Sequence, residues 1–199
     1  MALLVVEDLR VELPTNRGMA PAVRGVSFSL QPGGTLGIVG ESGCGKTMTA
    51  LALMGLLPYG ARACGRVNLD GTDLLSLDED AWCAMRGNHM AMIFQEPMTS
   101  LNPVHRIGRQ IAEPLRLHRG LRGAGARAEV LRLLDRVGLP DPTRRINFYP
   151  HNLSGGQRQR VMIAIALSCA PDILLADEPT TALDVTIQRQ MLDLINELV

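Results

Sequence analysis

An eight-residue stretch in the first quarter of the chain has the residue types that hold phosphate groups. It reads Gly40-Glu41-Ser42-Gly43-Cys44-Gly45-Lys46-Thr47, which is a glycine, four residues and then Gly-Lys-Thr. Glycines let the backbone curl so that successive N–H groups face phosphate oxygens, and a helix that starts here adds the positive end of its dipole. Lys46 is expected to contact the β- and γ-phosphates, and the Thr47 hydroxyl to be a Mg²⁺ ligand. Residues 40–47, the P-loop, are therefore predicted to bind a nucleoside triphosphate.

The residues on either side favour this interpretation over a chance glycine-rich turn. Leu36 to Val39 is a short apolar run, typical of a strand that is buried on both faces of a sheet. A helix is expected from about Lys46 to Leu57, where Pro58 stops it. Strand, loop and helix in this order are the context that the pattern requires. Cys44 stands at a variable position, and we interpret it as a small residue that fits there, in preference to a redox sensor.

A second apolar run ends in two adjacent carboxylates. Ile173 to Ala176 predicts a buried strand, and Asp177 and Glu178 follow it directly. Neighbouring carboxylates repel each other unless a cation or a partner stabilises them. At a site for Mg²⁺ and ATP, Asp177 can hold the metal through water, and Glu178 can act as general base, a role worth typically about 10²–10⁴-fold. The alternative is an acidic pair that only caps the end of a strand.

The segment Leu153-Ser154-Gly155-Gly156-Gln157 follows a turn and opens a long predicted helix. Ser154 could be a helix N-cap and no more. The same residues also present a hydroxyl and bare N–H groups at a helix N-terminus, which is a second phosphate-binding surface. One chain thus carries two such surfaces, and they need not meet within a single monomer.

Composition sets broad limits on function. The 199 residues can bury roughly 70% of the surface that the unfolded chain exposes, and 20 basic and 20 acidic residues give a formal net charge of zero. The electrostatic argument for nucleic-acid binding is therefore missing, although a local basic patch stays open. Cys44, Cys64, Cys83 and Cys169 lack metal-ligand spacing, which favours free thiols in a reducing cytoplasm.

Neither the N-terminus nor the longest apolar run has a pattern that would direct the chain into a membrane. Residues 1–10 lack the basic region and small-residue cleavage site of a secretory leader. The longest apolar run, Val161 to Ala170, is broken by Ser168 and is shorter than the about 20 residues that a span needs. We therefore expect any membrane role to come through a partner.

Hydrophobic periodicity and turn residues predict an α/β organisation. The further strands expected are Leu3 to Leu13, Val23 to Leu30, Gly65 to Leu69 and Met90 to Phe94, and Thr15 to Pro21 is expected to be a loop or the end of a hairpin. The further helices expected are Asp78 to Arg86, Gly156 to Ala170 and Val185 onward. Residues 107–139 have apolar residues at helical spacing and a break at Gly120 to Gly125, which predicts two helices of an inserted subdomain.

Five ordered motifs together resemble the nucleotide-binding domain of an ABC transporter. They are the P-loop (Walker A), Gln95 (Q-loop), Leu153–Gln157 (signature), Asp177-Glu178 (Walker B) and Ala182-Leu183-Asp184 (D-loop). The resemblance covers nearly the whole chain. It implies a P-loop NTPase core with a mixed sheet and flanking helices, an antiparallel β subdomain and an inserted helical subdomain. Residues 1–95 and 171–199 would form the core, and about 96–170 the helical subdomain with the signature.

A narrower resemblance points to the dipeptide, oligopeptide and nickel importer branch. Phe94 to Pro103, Tyr149 to Asn152 and Asp184 to Thr186 carry it. This branch implies an ATP-binding subunit that couples ATP hydrolysis to the uptake of dipeptides or oligopeptides through a membrane permease. A nickel-chelate importer is the alternative. The implied place is the cytoplasmic face of the inner membrane, where the subunit is peripheral.

The resemblance further implies that two cassettes face each other head to tail, with each ATP between two subunits. The nucleotide on the opposite P-loop would be bound by the signature residues Ser154, Gly155, Gly156 and Gln157. Of these, Ser154, Gly156 and Gln157 would contact the γ-phosphate. Gln95 would contact Mg²⁺ and the lytic water, and Asp184 would position the opposite site. The implied partners are a second ABC ATPase subunit, two permease subunits and, indirectly, an extracytoplasmic substrate-binding protein, with no nucleic acid.

Two features depart from the family pattern. Thr15 to Ala22 contains no aromatic residue to stack on adenine, so base stacking is expected to be weak or to use other contacts, such as Arg17 or Val23. The chain also stops at Val199, whereas the switch histidine is expected roughly 15–25 residues further on. Because the last helix ends without a cap residue, we expect a fragment whose C-terminal part is missing. It should bind Mg²⁺ and ATP and hydrolyse ATP slowly.

Two other classes of function compete with the importer ATPase. One is a soluble ABC ATPase that acts on nucleic acid or ribosomes, and the DNA-repair members of that class usually insert long coiled coils or zinc-binding cysteines between Walker A and the signature. Here the insert is short and has neither sustained heptads nor paired cysteines. A regulatory module without hydrolysis is disfavoured because Lys46 and Glu178 are both present. The importer ATPase is therefore the leading hypothesis.

Overall fold

The computed structural model describes residues 2–94 and 100–178. It divides into two compact units, Met1–Cys83 and Ala84–Val199. Of the expected features, Gln95, Asp184 and the helix from Val185 onward lie outside the described residues.

The first unit is built on a four-stranded antiparallel sheet with the strand order β2-β1-β3-β4. Its elements are β1 (Leu4–Thr15), β2 (Gly18–Leu30), α1 (Lys46–Leu53), β3 (Arg62–Leu69), β4 (Thr72–Asp73) and the first five residues of α2 (Glu79–Met85). The side-chain carboxylate of Asp78 accepts the Ala81 N–H at 2.9 Å, and it thereby caps the expected α2. The strands expected at Leu3 to Leu13, Val23 to Leu30 and Gly65 to Leu69 are confirmed, and so is the helix expected at Asp78 to Arg86.

The β1–β2 hairpin is longer than expected. Its register runs from Leu4 opposite Leu30 to Thr15 opposite Gly18. The expected loop at Thr15 to Pro21 therefore shrinks to Asn16 and Arg17, because Gly18 to Pro21 belong to β2. The Thr15 hydroxyl donates to the Gly18 carbonyl at 2.6 Å, which closes this two-residue turn.

The strand expected at Leu36 to Val39 is not formed, so this prediction was wrong. These residues have no regular structure, and Val39 is 93% exposed. The described strands of the first unit pair among themselves in the antiparallel sheet, and none of them runs beside this segment. An apolar run becomes a strand only where a neighbouring strand offers ladder partners for its N–H and C=O groups.

Helix α1 ends four residues before the expected position. Gly55 adopts a left-handed conformation (φ 61°), and its N–H donates to the Ala52 carbonyl at 3.2 Å. The Leu56 N–H donates to the Leu51 carbonyl at 2.9 Å, which completes a Schellman motif. A Cβ on Gly55 would also lie 2.4 Å from Trp82. The helix is thus terminated by Gly55, before Pro58 can act.

The second unit combines two parallel strands with helices. Its elements are β5 (Met90–Ile93), α3 (Ile107–His118), α4 (Gly123–Arg136), α5 (Pro142–Arg145), α6 (Gly155–Ala166) and β6 (Ile173–Ala176). Strands β5 and β6 pair in parallel from Met90 with Ile173 to Ile93 with Ala176. The two expected helices of the middle stretch are confirmed, although α4 already begins inside the glycine-rich break.

One hydrophobic core holds the second unit together. It joins β5, the inner faces of α3 and α4, and most of α6. Ile111 and Leu115 of α3 and Leu134 of α4 are fully buried in it. The spacing of these residues follows the helical period, as the sequence predicted. In the part of the chain that the structure describes, no helix has the length and apolarity needed to cross a bilayer.

Two leucines on α3 test this packing. Leu115 is 0% exposed and Leu117 is 66% exposed. We expect Leu115→Ala to lower the free energy of unfolding by about 2–5 kcal/mol, because it leaves a cavity in the core. Leu117→Ala should change it by less than about 0.5 kcal/mol. Urea unfolding followed by circular dichroism measures both, and equal losses would contradict the described face of α3.

Candidate functional site

The P-loop leads from an exposed segment into α1. Gly43 (φ 79°) and Gly45 (φ 100°) both adopt backbone conformations that residues with a Cβ rarely reach. At Gly45 there is also no space, since a Cβ there would lie 2.6 Å from the carbonyl oxygen of Ala22. Conformation and space together therefore restrict position 45 to glycine.

The Lys46 side chain folds back over the P-loop. Its Nζ donates hydrogen bonds to the carbonyl oxygens of Gly40 at 2.9 Å and of Glu41 at 3.1 Å. The ammonium is thus held at the first two residues of the loop, and it is the only lysine in the chain. An incoming phosphate can take over these hydrogen bonds, because an anionic oxygen is a stronger acceptor than a neutral carbonyl.

The start of α1 adds positive potential at the same place. Gly45 is the N-cap and supplies no side-chain acceptor, and the first turn contains no acidic residue. Thr47 lies in this turn. Backbone N–H groups at a helix start attract anions, and the helix dipole adds to the effect. The loop, Lys46 and the helix start therefore favour the same kind of ligand, a phosphate group.

Thr49 was not among the expected site residues, yet it supports the loop. It is buried, and its N–H and hydroxyl both donate to the Gly45 carbonyl, at 2.8 and 2.9 Å. This pair of bonds fixes the orientation of the peptide that follows Gly45. A threonine in the first turns of a helix is too common for the sequence alone to indicate this role.

The remaining loop residues, Glu41, Ser42 and Cys44, are exposed. The Cys44 N–H donates to the Glu41 carbonyl at 3.3 Å, which forms a turn. The Cys44 thiol lies against Gly40, where a Cβ would be only 2.5 Å from the sulfur. Glycine at position 40 therefore leaves room for the thiol, and a larger group on this sulfur would crowd the loop.

The two adjacent carboxylates lie in different environments. Asp177 is buried, and its N–H donates to the Ile93 carbonyl at 3.0 Å, which extends the β5–β6 ladder by one residue. Glu178 is exposed and has a left-handed backbone (φ 43°). Such a conformation is rare for a residue with a Cβ and is found disproportionately at functional sites.

The register of β5 and β6 also bears on Gln95, which lies outside the described residues. Because the strands are parallel and Ile93 is opposite Ala176, their carboxyl ends lie at the same edge. Phe94 follows β5 and Asp177 follows β6 at that edge. Gln95 is the next residue in the sequence after Phe94.

The signature residues form the start of α6. The Gln157 N–H donates to the Ser154 hydroxyl at 3.4 Å, and the Ser154 N–H donates to the Gln157 side-chain oxygen at 3.2 Å. This capping box confirms the N-cap interpretation of Ser154. Gly155 and Gly156 occupy the first turn, and Ser154 and Gly155 are exposed.

Two residues of α6 that were not predicted shape this region. The Arg158 Nε donates to the Pro150 carbonyl at 2.8 Å, which ties the turn before the signature to the helix after it. Gln159 is buried, and its side-chain oxygen accepts no hydrogen bond from the residues that the structure describes. A helical glutamine carries no sequence signal of burial.

The glycine loop closed by one ammonium at a helix start is a feature of P-loop NTPases, and so is a parallel strand that is followed by carboxylates. The strand β6 is less buried than its apolar sequence predicted, because only Ile173 is buried and Ala176 is exposed. The model of the ABC transporter family matches residues 23–181. The chain belongs to the ABC transporter family.

Curated relatives agree with this membership. The chain is 53% identical to the oligopeptide transport ATP-binding protein OppD of Escherichia coli, over 99% of this chain and 58% of the relative. It is 52% identical to the dipeptide transport ATP-binding protein DppD of Bacillus subtilis, over 98% and 59%. It is 54% identical to the peptidoglycan transport ATP-binding protein YejF of Agrobacterium fabrum, over 98% and 36%. The chain spans less than two thirds of the length of each relative.

Solved structures show the same fold. The dimeric structure of MJ0796, a bacterial ABC transporter cassette, superposes with a TM-score of 0.83 at 30% identity and covers 98% of this chain and 83% of that one. A dimeric post-hydrolysis state of the ATP-binding cassette MJ0796, bound to ADP and Pi, gives a TM-score of 0.83 at 29% identity, over 98% and 82%. The expected fold class is therefore confirmed.

The four cysteines allow a test of the P-loop. Cys44, Cys64 and Cys83 are exposed, whereas Cys169 is buried, and burial raises the pKa of its thiol. We expect alkylation of Cys44 to weaken ATP binding by about tenfold or more, because the adduct crowds the loop and displaces charged hydrogen bonds. ATP titration before and after N-ethylmaleimide treatment measures this effect.

The controls are two serine variants. Cys44→Ser should bind ATP equally well with and without N-ethylmaleimide, whereas Cys64→Ser, altered at an exposed position of β3, should stay sensitive. Undiminished inhibition of Cys44→Ser would show that the reactive thiol lies elsewhere.

Proposed function

We propose that this chain is the ATP-binding and ATP-hydrolysing part of a peptide importer, peripheral to the cytoplasmic face of the membrane. The observation that carries the proposal is the P-loop with Lys46 folded over its own carbonyl oxygens. The names of the relatives, which refer to oligopeptide and dipeptide transport, support peptides as cargo.

ATP would bind with its phosphates on the P-loop. Gly40, Gly43 and Gly45 let the N–H groups of residues 40–47 face the phosphate oxygens, and Glu41, Ser42 and Cys44 contribute backbone only. Lys46 exchanges its two carbonyl acceptors for β- and γ-phosphate oxygens. Because the ammonium is already held over the loop, little side-chain reorganisation accompanies binding.

The oxygen-rich donor set fits Mg²⁺, a hard cation that prefers hydroxyl, carboxylate and phosphate oxygens. Thr47 in the first turn of α1, the buried Asp177 and Gln95 would hold it together with the phosphates. When bound, the ion neutralises charge on the phosphate oxygens. Asp177 is suited to this role because its backbone is fixed in the β5–β6 ladder.

Glu178 would act as the general base. It accepts a proton from the attacking water, and Gln95 orients that water toward the γ-phosphate. A positioned base of this kind contributes about 10²–10⁴-fold. The left-handed backbone at Glu178 supports the role, since it sets this residue apart from the strand direction that Asp177 follows.

The complete site would need two subunits. The exposed start of α6, with Ser154, Gly155, Gly156 and Gln157, would close over ATP that is held by the P-loop of a second ABC ATPase subunit. Asp184 would position the opposite site across the dimer. Support comes from the solved cassettes of this fold, whose structures are dimeric.

Coupling to transport would run through the helical part. We divide the chain into a core, residues 1–95 and 171–199, and a helical subdomain at about 96–170. Gln95 joins the two, and the loop at 96–102 would contact one of two permease subunits. An extracytoplasmic binding protein would deliver peptides to that permease.

The dimer and the base can be tested together. Glu178→Gln should bind ATP and accumulate a stable dimer, because the nucleotide that joins the subunits is no longer hydrolysed. Light scattering with ATP measures the mass, and ATP turnover should fall by about 10²–10⁴-fold. Lys46→Ala is the control and should stay monomeric with ATP. A Glu178→Gln protein that is only monomeric in saturating ATP would contradict the two-subunit site.

A further inference from the structure

A cavity of about 720 Å³ lies in the second unit, between α3 and α4. Five arginines line it: Arg106, Arg109, Arg116, Arg122 and Arg127. Its other walls include the apolar side chains of Ala112, Ala126, Val130 and Ile146. The volume falls within the about 300–1,000 Å³ of sites for small ligands.

Positive charge predominates among the residues that line the cavity. Glu113 is the only carboxylate among the lining residues. The imbalance extends to the segment 106–160, which has twelve arginines and four acidic residues in a chain whose formal net charge is zero. Arginines concentrated around one concave surface create a positive potential that attracts anions.

The five arginines have no carboxylate partner within the part of the chain that the structure describes. Arg132, on the same helix as Arg127, shows the contrast. Its guanidinium binds both carboxylate oxygens of Glu129, at 2.8 and 2.6 Å, and the hydrogen bond from Arg132 lowers the pKa of Glu129. Of the five, Arg106 stacks over the ring of Tyr149 at 5.8 Å, which leaves its N–H donors at the edge of the plane.

The start of α4 adds to this potential. Arg122 is its N-cap, supplies no capping acceptor, and is followed by a first turn without an acidic residue. Arg122 and Gly123 both line the cavity, so the positive end of this 14-residue helix opens onto it. Helix start, arginines and cavity thus favour one ligand chemistry.

We propose that this cavity binds a small, phosphate-bearing anion with at least two negative charges. Arginine forks match phosphate oxygens in pairs, and the apolar wall can receive an uncharged part of the same molecule. None of the lining residues belongs to the P-loop or the signature. The proposal therefore stands apart from the ATPase activity and can fail or succeed without it.

Inorganic pyrophosphate, titrated calorimetrically into the 199-residue protein without Mg²⁺, tests the site. Lys46→Ala removes the P-loop ammonium and so weakens binding at the P-loop, and the effect of the arginine substitutions in this variant reports on the cavity. In that background, Arg109→Gln with Arg127→Gln should weaken binding by about tenfold or more per arginine. Arg136→Gln, an exposed change on α4 outside the cavity, is the matched control and should leave the affinity within about twofold.

Glu113→Gln gives the opposite sign, which a merely structural defect cannot produce. This substitution removes the only carboxylate that lines the cavity and repels an anion. Pyrophosphate should therefore bind about threefold more tightly or better. Affinity should also fall as salt rises from 50 to about 200 mM, since the attraction is between charges.

Vesicles distinguish a lipid headgroup from a soluble ligand. Co-sedimentation with vesicles that contain cardiolipin, whose headgroup carries two phosphates and two negative charges, is compared with co-sedimentation with phosphatidylcholine vesicles for the same variants. Loss of binding to either probe in the Arg109→Gln, Arg127→Gln protein, but not in Arg136→Gln, supports the site. The proposal is overturned if Lys46→Ala alone abolishes pyrophosphate binding and the arginine substitutions leave vesicle binding unchanged.

Discussion

The left-handed backbone at Gly45 is the constraint on which the P-loop depends. It points the chain into α1, and the Gly45 carbonyl is held by both donors of Thr49. A residue with a Cβ would lose about 1–2 kcal/mol in this conformation and would meet the Ala22 carbonyl as well. Lys46 follows directly, so its position over the loop is set by the same turn. The geometry of the predicted phosphate site therefore depends on the φ angle of Gly45.

Lysine and arginine occupy different parts of this chain, and the only lysine lies in the P-loop. A lysine carries a compact charge on a flexible stem, and Lys46 can move from a carbonyl to a phosphate oxygen without a change in the loop. Arginine supplies every other basic residue, and twelve of these lie in the segment 106–160. Their planar forks need an acceptor of matching geometry. The chemistry of the two sites therefore differs, although both favour phosphate.

Much of this could be predicted from sequence because local pattern decided it. The hairpin strands, α3 and α4 follow alternation or helical spacing, and the P-loop follows its own glycines. Predictions failed where the local structure depends on contacts with residues that are distant in the sequence. Leu36 to Val39 has the composition of a buried strand, yet a strand needs a neighbour, which composition does not contain. Gly55 ended α1 through a motif that depends on its φ. The arginine cavity could not be predicted because it forms only where α3 and α4 lie beside each other.

Asp177 and Glu178 show why adjacency in sequence does not make two carboxylates equivalent. The β5–β6 ladder continues through the Asp177 N–H, so this side chain is buried at the strand end. One residue later the backbone turns left-handed and Glu178 becomes exposed. A metal ligand must be fixed, whereas a base must reach water. One peptide step would therefore separate the two tasks that we propose for Asp177 and Glu178, and a regular strand continued through Glu178 would lose that separation.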